Sequence, residues 1–370
     1  MKVIIACAGT GGHINQGIAI ANEVKKNEPE SKILFLGTET GLENKLVPKA
    51  GYELKHIRAG RFYRKLTLKN IKNITNAYMG IYDAKKILNE FKPDVVVGTG
   101  GFICMPVMKA AKKLHIPYVL HESNAFPGLS VRVLSKSAEK VLLGFEAAKE
   151  KLEGKCIFTG TPTKFNMENM MKLDKTKCKE ELNLTHEIQN KKVIFVTGGS
   201  QGARKFNQVV IDMVKKYKSE EFFVVIATGL KNYEETIESI KGQELDKYLR
   251  IVDYVYDMDK MYKASDLLIT RAGALTVTEI SIARRPAILI PLPYAAENHQ
   301  LYNAKMLENA KAGIVIEESV LNEDLLYDKI ISVMSDEEKL KQMGENAAKL
   351  YLPNVEERIY KEIKDIVKGE

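Results

Sequence analysis

At 370 residues the chain exceeds what one hydrophobic core accommodates, and its hydrophobic fraction of 45% suits an ordinary globular protein of two domains. Its four cysteines, Cys7, Cys104, Cys156 and Cys178, lack the paired spacings of a zinc site or a disulfide framework, which fits a reducing cytosol. No apolar run approaches the ~18 residues of a membrane span, the run after Lys2 stops at a glycine turn before it could act as a signal peptide, and nothing beyond the net charge of +8 points to nucleic acid.

In chain order, short Val/Ile/Leu runs predict strands at 2–7, 32–37, 94–98, 117–120, 140–143 and 156–159. Longer amphipathic runs predict helices at 14–27, 41–50, 67–91, 104–114 and 127–135. After about residue 163 the pattern restarts, with strands at 192–197, 222–227, 249–253, 266–270, 287–290 and 313–315. The accompanying helices fall at 202–216, 231–241, 257–264, 274–283, 299–311, 321–334 and 336–350. Continuous apolar strands alternating with helices mean parallel sheets covered on both faces. Two Rossmann-like, doubly wound α/β domains facing each other across a cleft are therefore expected, with 164–191 as a connection holding a short helix. After Pro353 a last helix is expected, capped by Asn354 with Glu357 closing a capping box, and with Ile359, Ile363, Ile366 and Val367 as its apolar stripe.

The motifs that carry chemistry lie at strand ends. Gly9-Thr10-Gly11-Gly12-His13 follows the first strand and opens a helix, and Gly198-Gly199-Ser200-Gln201-Gly202-Ala203 does the same half a chain later. Bare backbone at a helix start offers unpaired N–H groups and the positive dipole end, which attract phosphate. The first turn is not a dinucleotide fingerprint, because Ile14 replaces the last glycine and the second strand ends without a ribose carboxylate. At a helix start the dipole favours a neutral His13, competent as a base, although the same ring would also serve a local turn hydrogen bond. Gly98-Thr99-Gly100-Gly101 would lie beside the first turn in a doubly wound sheet, and His121-Glu122-Ser123-Asn124 gathers imidazole, carboxylate and amide at another strand end. In the second half, Glu279 in the first turns of a helix suits a ribose diol, and the amide and imidazole of His299-Gln300 suit sugar hydroxyls. Asp257-Met258-Asp259 resembles a metal-holding D-x-D, but Asp257 reads better as a helix cap, and no other ligand cluster supports a metal. Arg61, Arg64 and Lys65, interleaved with aromatic and aliphatic groups and followed by Ile71, Ile74, Tyr78 and Ile81, fit either an anchor on anionic lipid or a basic loop and a core helix.

Taken in order, these turns together with Gly273-Ala274-Leu275-Thr276-Val277-Thr278-Glu279 and His299-Gln300 with Asn303-Ala304 resemble one family over nearly the whole chain. It is the family of UDP-N-acetylglucosamine–N-acetylmuramyl-(pentapeptide) pyrophosphoryl-undecaprenol N-acetylglucosamine transferases of bacterial cell-wall synthesis. The resemblance implies a GT-B fold with an acceptor and membrane-side domain at 1–163, a donor domain at 164–352, and the helix 353–370 packing back on the first. It implies inverting transfer of GlcNAc from UDP-GlcNAc to the C4 hydroxyl of the muramic sugar of lipid I, giving lipid II, at the cytoplasmic face of the cell membrane, with no cofactor. Val255 would meet the uracil through its backbone, Glu279 the ribose, and Ser200, Gln201, Ala274, Leu275 and Thr276 the diphosphate. His299, Gln300 and Asn124 would contact the GlcNAc, while Thr10, Gly11 and Gly12 would face the acceptor diphosphate. His13 is the expected base, with Glu122 as its alternative or its orienting partner.

The chain departs from the family pattern at three places. Gln16 stands where proline is usual, Thr161-Pro162-Thr163-Lys164 replaces an Asn-Pro-x-Arg, and Arg285 occupies a small-residue position before Pro286. Lys164 would act as a point charge where arginine grips bidentately. A transferase acting on another acceptor, or a UDP-GlcNAc epimerase, would share the two-domain plan.

Overall fold

The computed structural model describes residues 1–60, 68–184, 188, 191–199 and 202–369, without the side chains of 68–72 and 74. These residues form two units, Met1–Lys164 with Leu352–Glu370, and Phe165–Tyr351. In the first, β1 (Lys2–Ala6), β2 (Lys32–Gly37), β3 (Glu53–His56), β4 (Val95–Gly98), β5 (Tyr118–Glu122), β6 (Lys140–Leu143) and β7 (Cys156–Phe158) form one sheet in the order β3-β2-β1-β4-β5-β6-β7. In the second, β8 (Lys192–Thr197), β9 (Phe222–Ala227), β10 (Leu249–Val252), β11 (Leu267–Thr270), β12 (Ala287–Leu289) and β13 (Gly313–Val315) are ordered β10-β9-β8-β11-β12-β13. Every strand pair in both sheets is parallel.

The crossovers of the first unit are α1 (Gly11–Asn27), α2 (Glu43–Lys49), α3 (Leu68–Phe91), α4 (Cys104–Lys113) and α5 (Leu129–Leu134). The second unit carries α6 (Met167–Lys172), α7 (Lys175–Glu181), α8 (Arg204–Tyr217), α9 (Tyr233–Ile240), α10 (Met258–Ala264), α11 (Ala274–Ala283), α12 (His299–Asn309), α13 (Glu323–Met334) and α14 (Glu337–Ala348). α15 (Val355–Lys368) closes the chain. Strand order reverses between β1 and β4 in one sheet and between β8 and β11 in the other. Parallel sheets bind ligands outside the carboxyl ends of the strands at such a reversal. All four turns in question, after Ala6, Gly98, Thr197 and Thr270, stand at these two points, where Ala6 pairs with Gly98 and Thr270 with Thr197.

The fold differs from the sequence reading in four places. Glu53-Leu54-Lys55-His56 forms the edge strand β3; with one apolar residue in four, it carries no strand signal. The stretch after Lys164 is not a connection with one helix. It forms α6 and α7, with Met170, Cys178, Leu184 and Ile188 buried and Phe165 stacked on Tyr262 at 5.7 Å between ring centroids. Asn354 precedes α15 in a left-handed conformation (φ 57°) and makes no capping bond. Glu356, not Glu357, takes a neighbouring N–H, that of Thr163 at 3.1 Å. The α15 stripe itself seats on the first unit: Ile359 and Ile363 are fully buried among Val3, Ile5, Ile20 and Val24, worth about 1.5–3 kcal/mol per side chain. Beneath it Lys140, 5% exposed, donates to Glu362 Oε2 at 2.7 Å, because a buried ammonium needs a charged partner.

Candidate active site

Four helices, α6, α7, α13 and α14, are capped by side chains: Asn166, Asp174, Asn322 and Asp336 each accept a first-turn N–H. α1, α8 and α11, which open on the turns at the two reversal points, have Thr10, Ala203 and Gly273 at the cap position and no side-chain cap bond. Their first N–H groups are thus aimed past the strand ends, where an anion would find them.

In the first unit, His13 is the third residue of α1. Its Nδ1 lies 3.3 Å from the Ala8 carbonyl oxygen. A carbonyl only accepts, so Nδ1 carries a proton and donates to it. The ring lies against Gly100, whose φ is +114°; a Cβ there would stand 2.6 Å from His13 Cδ2. Thr99 Oγ1 donates to the His13 carbonyl at 2.8 Å and fixes the backbone behind the ring. The turn after β4 thereby sets the ring of the turn after β1.

His121 and Glu122 end β5, both buried. His121 Nε2 donates to the Gly160 carbonyl at 3.0 Å. Burial pushes its pKa down to about 4, with His13 adding to the effect, so it is a neutral structural imidazole. Glu122 holds the loop beyond it. Oε1 accepts the Asn124 backbone N–H and Nδ2, each at 2.9 Å, and Oε2 accepts the Gly128 N–H at 2.8 Å. Burial raises the Glu122 pKa despite these donors. Asn124 thus reaches its place through Glu122. Thr10 is exposed and Gly11 and Gly12 half-buried at the mouth of α1, and Lys164 is exposed.

In the second unit, Ala274, Leu275 and Thr276 form the first turn of α11 and Glu279 its second; Glu279 Oε2 accepts the Tyr262 hydroxyl at 3.3 Å. Val255 is buried between exposed Tyr254 and Tyr256. His299 starts α12 and donates from Nδ1 to the Ala296 carbonyl at 2.7 Å, and burial lowers its pKa. Gln300 Oε1 accepts the Ala272 N–H at 3.3 Å and the Leu292 N–H at 3.0 Å. Its carbonyl is thus spent on two loops, and the amide nitrogen is what it can present to a ligand. Gly202 (φ +71°) packs on the Thr228 carbonyl, so no larger residue fits there.

Ser200 and Gln201, like Arg61, Arg64 and Lys65, lie outside the described residues. Beyond them, α3 carries Tyr78 at 72% and Tyr82 at 68% exposure, with Met79 beside them, while Ile81 packs on the core. Asp257 sits at the cap position of α10 but makes no cap bond; it faces Lys260 at 3.7 Å. Among the described residues no three His, Cys, Asp or Glu side chains gather as a metal site requires, and no helix is long and apolar enough to cross a membrane. Arg285 donates to the Tyr262 and Lys263 carbonyls at 3.1 and 2.8 Å and closes the end of α10. Sequence reasoning passed over Arg271. Its signal was a cation directly after the apolar strand Leu267-Leu268-Ile269-Thr270, a place where arginine survives only if paired.

The model of the glycosyltransferase family 28 N-terminal domain matches residues 3–143, and that of the family 28 C-terminal domain matches residues 193–359. A UDP-N-acetylglucosamine–N-acetylmuramyl-(pentapeptide) pyrophosphoryl-undecaprenol N-acetylglucosamine transferase of Acetivibrio thermocellus is 40% identical over 372 residues, covering 100% of this chain and 99% of its own. One of the same name from Thermoanaerobacter sp. is 42% identical over 370 residues, covering 99% and 100%. Among solved structures, MurG of Acinetobacter baumannii superposes with a TM-score of 0.79 at 26% identity, covering 98% of this chain and 99% of that one. The UDP-GlcNAc 2-epimerase of Neisseria meningitidis superposes with a TM-score of 0.69 at 16% identity, covering 99% and 100%; at that identity the likeness is one of fold.

Proposed function

The chain belongs to glycosyltransferase family 28, and on that premise we propose that it transfers GlcNAc from UDP-GlcNAc to the C4 hydroxyl of the muramic sugar in undecaprenyl-diphosphate-linked MurNAc-pentapeptide, with inversion, in peptidoglycan synthesis. The observation that carries the reading is the His13 ring, held at the start of α1 between the Ala8 carbonyl and Gly100, with Nδ1 turned to the carbonyl. An inverting displacement needs one base on the attacking hydroxyl, and His13 Nε2 takes that proton as the C4 oxygen attacks the anomeric carbon. Glu122 works by positioning: it fixes Asn124 and the loop to Gly128.

The donor belongs to the second unit. Val255 meets the uracil and Glu279 the ribose. Ser200, Gln201 and the first turn of α11 surround the diphosphate, while His299 and Gln300 reach the sugar; Asn124 and Lys164 are substrate contacts of the first unit. Charge growing on the departing UDP is met by N–H groups of uncapped helix starts. The acceptor diphosphate faces Thr10, Gly11 and Gly12. Arg61, Arg64 and Lys65, with Tyr78, Met79 and Tyr82 nearby in the chain, hold this unit peripherally on the anionic face of the cell membrane.

The test is release of UDP from UDP-GlcNAc with and without a soluble lipid I analogue. Release that depends on the analogue, with a new disaccharide, supports the reading. UDP release or sugar epimerisation without any acceptor overturns it.

A further inference from the structure

Arg271 follows the last residue of β11 and is 9% exposed. Its Nη1 donates to the carbonyls of Ile290 and Pro291 at 3.1 and 3.3 Å, and its Nη2 to Glu318 Oε2 at 2.5 Å. The guanidinium carbon lies 5.6 Å from the centre of the buried Phe206 ring. One side chain thus ties the turn after β11 to the segments after β12 and β13 and to the first turn of α8.

Its neighbour Ala272 is held as tightly. The Ala272 N–H goes to Gln300 Oε1, which also takes the Leu292 N–H, and the Ala272 carbonyl accepts Asn303 Nδ2 at 3.1 Å. Thr270 Oγ1 closes the set on the Arg271 carbonyl at 2.9 Å. A buried cation costs several kcal/mol to desolvate unless it is fully partnered. Here the partners are the two carbonyls immediately before Leu292, together with Glu318.

We infer that Arg271 is a positioning residue that fixes the sugar end of the donor site, by locking segment 290–292, and through it Gln300, against the turn that starts α11. The inference rests on the donor reading above. Lysine keeps the charge but not the planar fork that serves three oxygens at once. The bonds of Arg271 do not include Val255 or Glu279, so its loss should be felt by the sugar and not by the uridine.

The experiment measures UDP affinity by calorimetry, and the KM for UDP-GlcNAc, for wild type, Arg271→Lys and Glu318→Gln. For Arg271→Lys the KM for UDP-GlcNAc should rise ~tenfold while UDP affinity stays within about threefold, as lost bidentate geometry implies. Glu318→Gln, which leaves the two carbonyl bonds in place, should show the same split more weakly and serves if the lysine variant fails to fold. Equal losses for UDP and UDP-GlcNAc, or no loss in either, overturn the inference. If wild type itself binds no UDP-GlcNAc, the donor reading fails first.

Discussion

The two units place their turns at the same point of the same topology and furnish them differently. At the β1/β4 reversal the neighbours of the turn are titratable and buried: His121 and Glu122 end β5, and the His13 ring is clamped by Gly100. At the β8/β11 reversal the turn is braced by the Arg271 guanidinium, paired with Glu318, and by the carboxamides of Gln300 and Asn303. Shared topology supplies N–H groups to an anion in both. What differs is what lies against the turn: an imidazole set by a glycine in the first unit, and an ion pair with carboxamides in the second.

The sharpest way to break this contrast is His13→Ala. Turnover should fall by ~10²–10⁴-fold, the span of a positioned base, with the KM for UDP-GlcNAc almost unchanged. Equal damage to both constants in steady-state assays would assign His13 to binding instead. Second comes pH. His121 has a folded pKa of about 4 against an ordinary 6.5. The unfolded chain therefore binds more protons between these values, and the contribution of His121 to stability is lost as pH falls from 6.5 through 4, by about 3 kcal/mol in all. The raised Glu122 pKa acts with the opposite sign above its ordinary value. His121→Gln should flatten the curve in urea denaturation between pH 7 and 4; an unaltered slope would remove His121 from the account.

Gly100→Ala tests the clamp without touching a titratable group. The added Cβ displaces the His13 ring and strains a positive φ, so turnover should drop ~10- to 100-fold while UDP affinity holds. Full activity would mean that the ring needs no such support. Glu279→Ala is the mirror experiment: losing a charged acceptor should weaken UDP binding about tenfold, read by calorimetry, and leave the pH profile of turnover where it was. A shifted profile would bring a group of the second unit into proton transfer.

Much of the candidate site could be read from the sequence because its parts are local. The glycine turns, His13 after them, Glu122 two residues from Asn124, and Glu279 inside α11 are set by neighbours in sequence. The strand and helix alternation was equally legible, since fully buried parallel strands are unbroken apolar runs. β3 was not, because an edge strand of Glu, Leu, Lys and His has no period to read. The capping of α15 was misread for another reason: an asparagine before a helix caps by side chain or sits left-handed, and only its packing decides.

The sequence by itself determined two doubly wound parallel sheets and the turns that end their central strands, since apolar periodicity and glycine act over a few residues. Only the tertiary structure decided that Gly100 sets the ring of His13 and that Arg271 braces Ile290, Pro291 and Glu318. Partners of that kind are brought together by strand order, and strand order is a property of how sheets assemble, which no window of sequence contains.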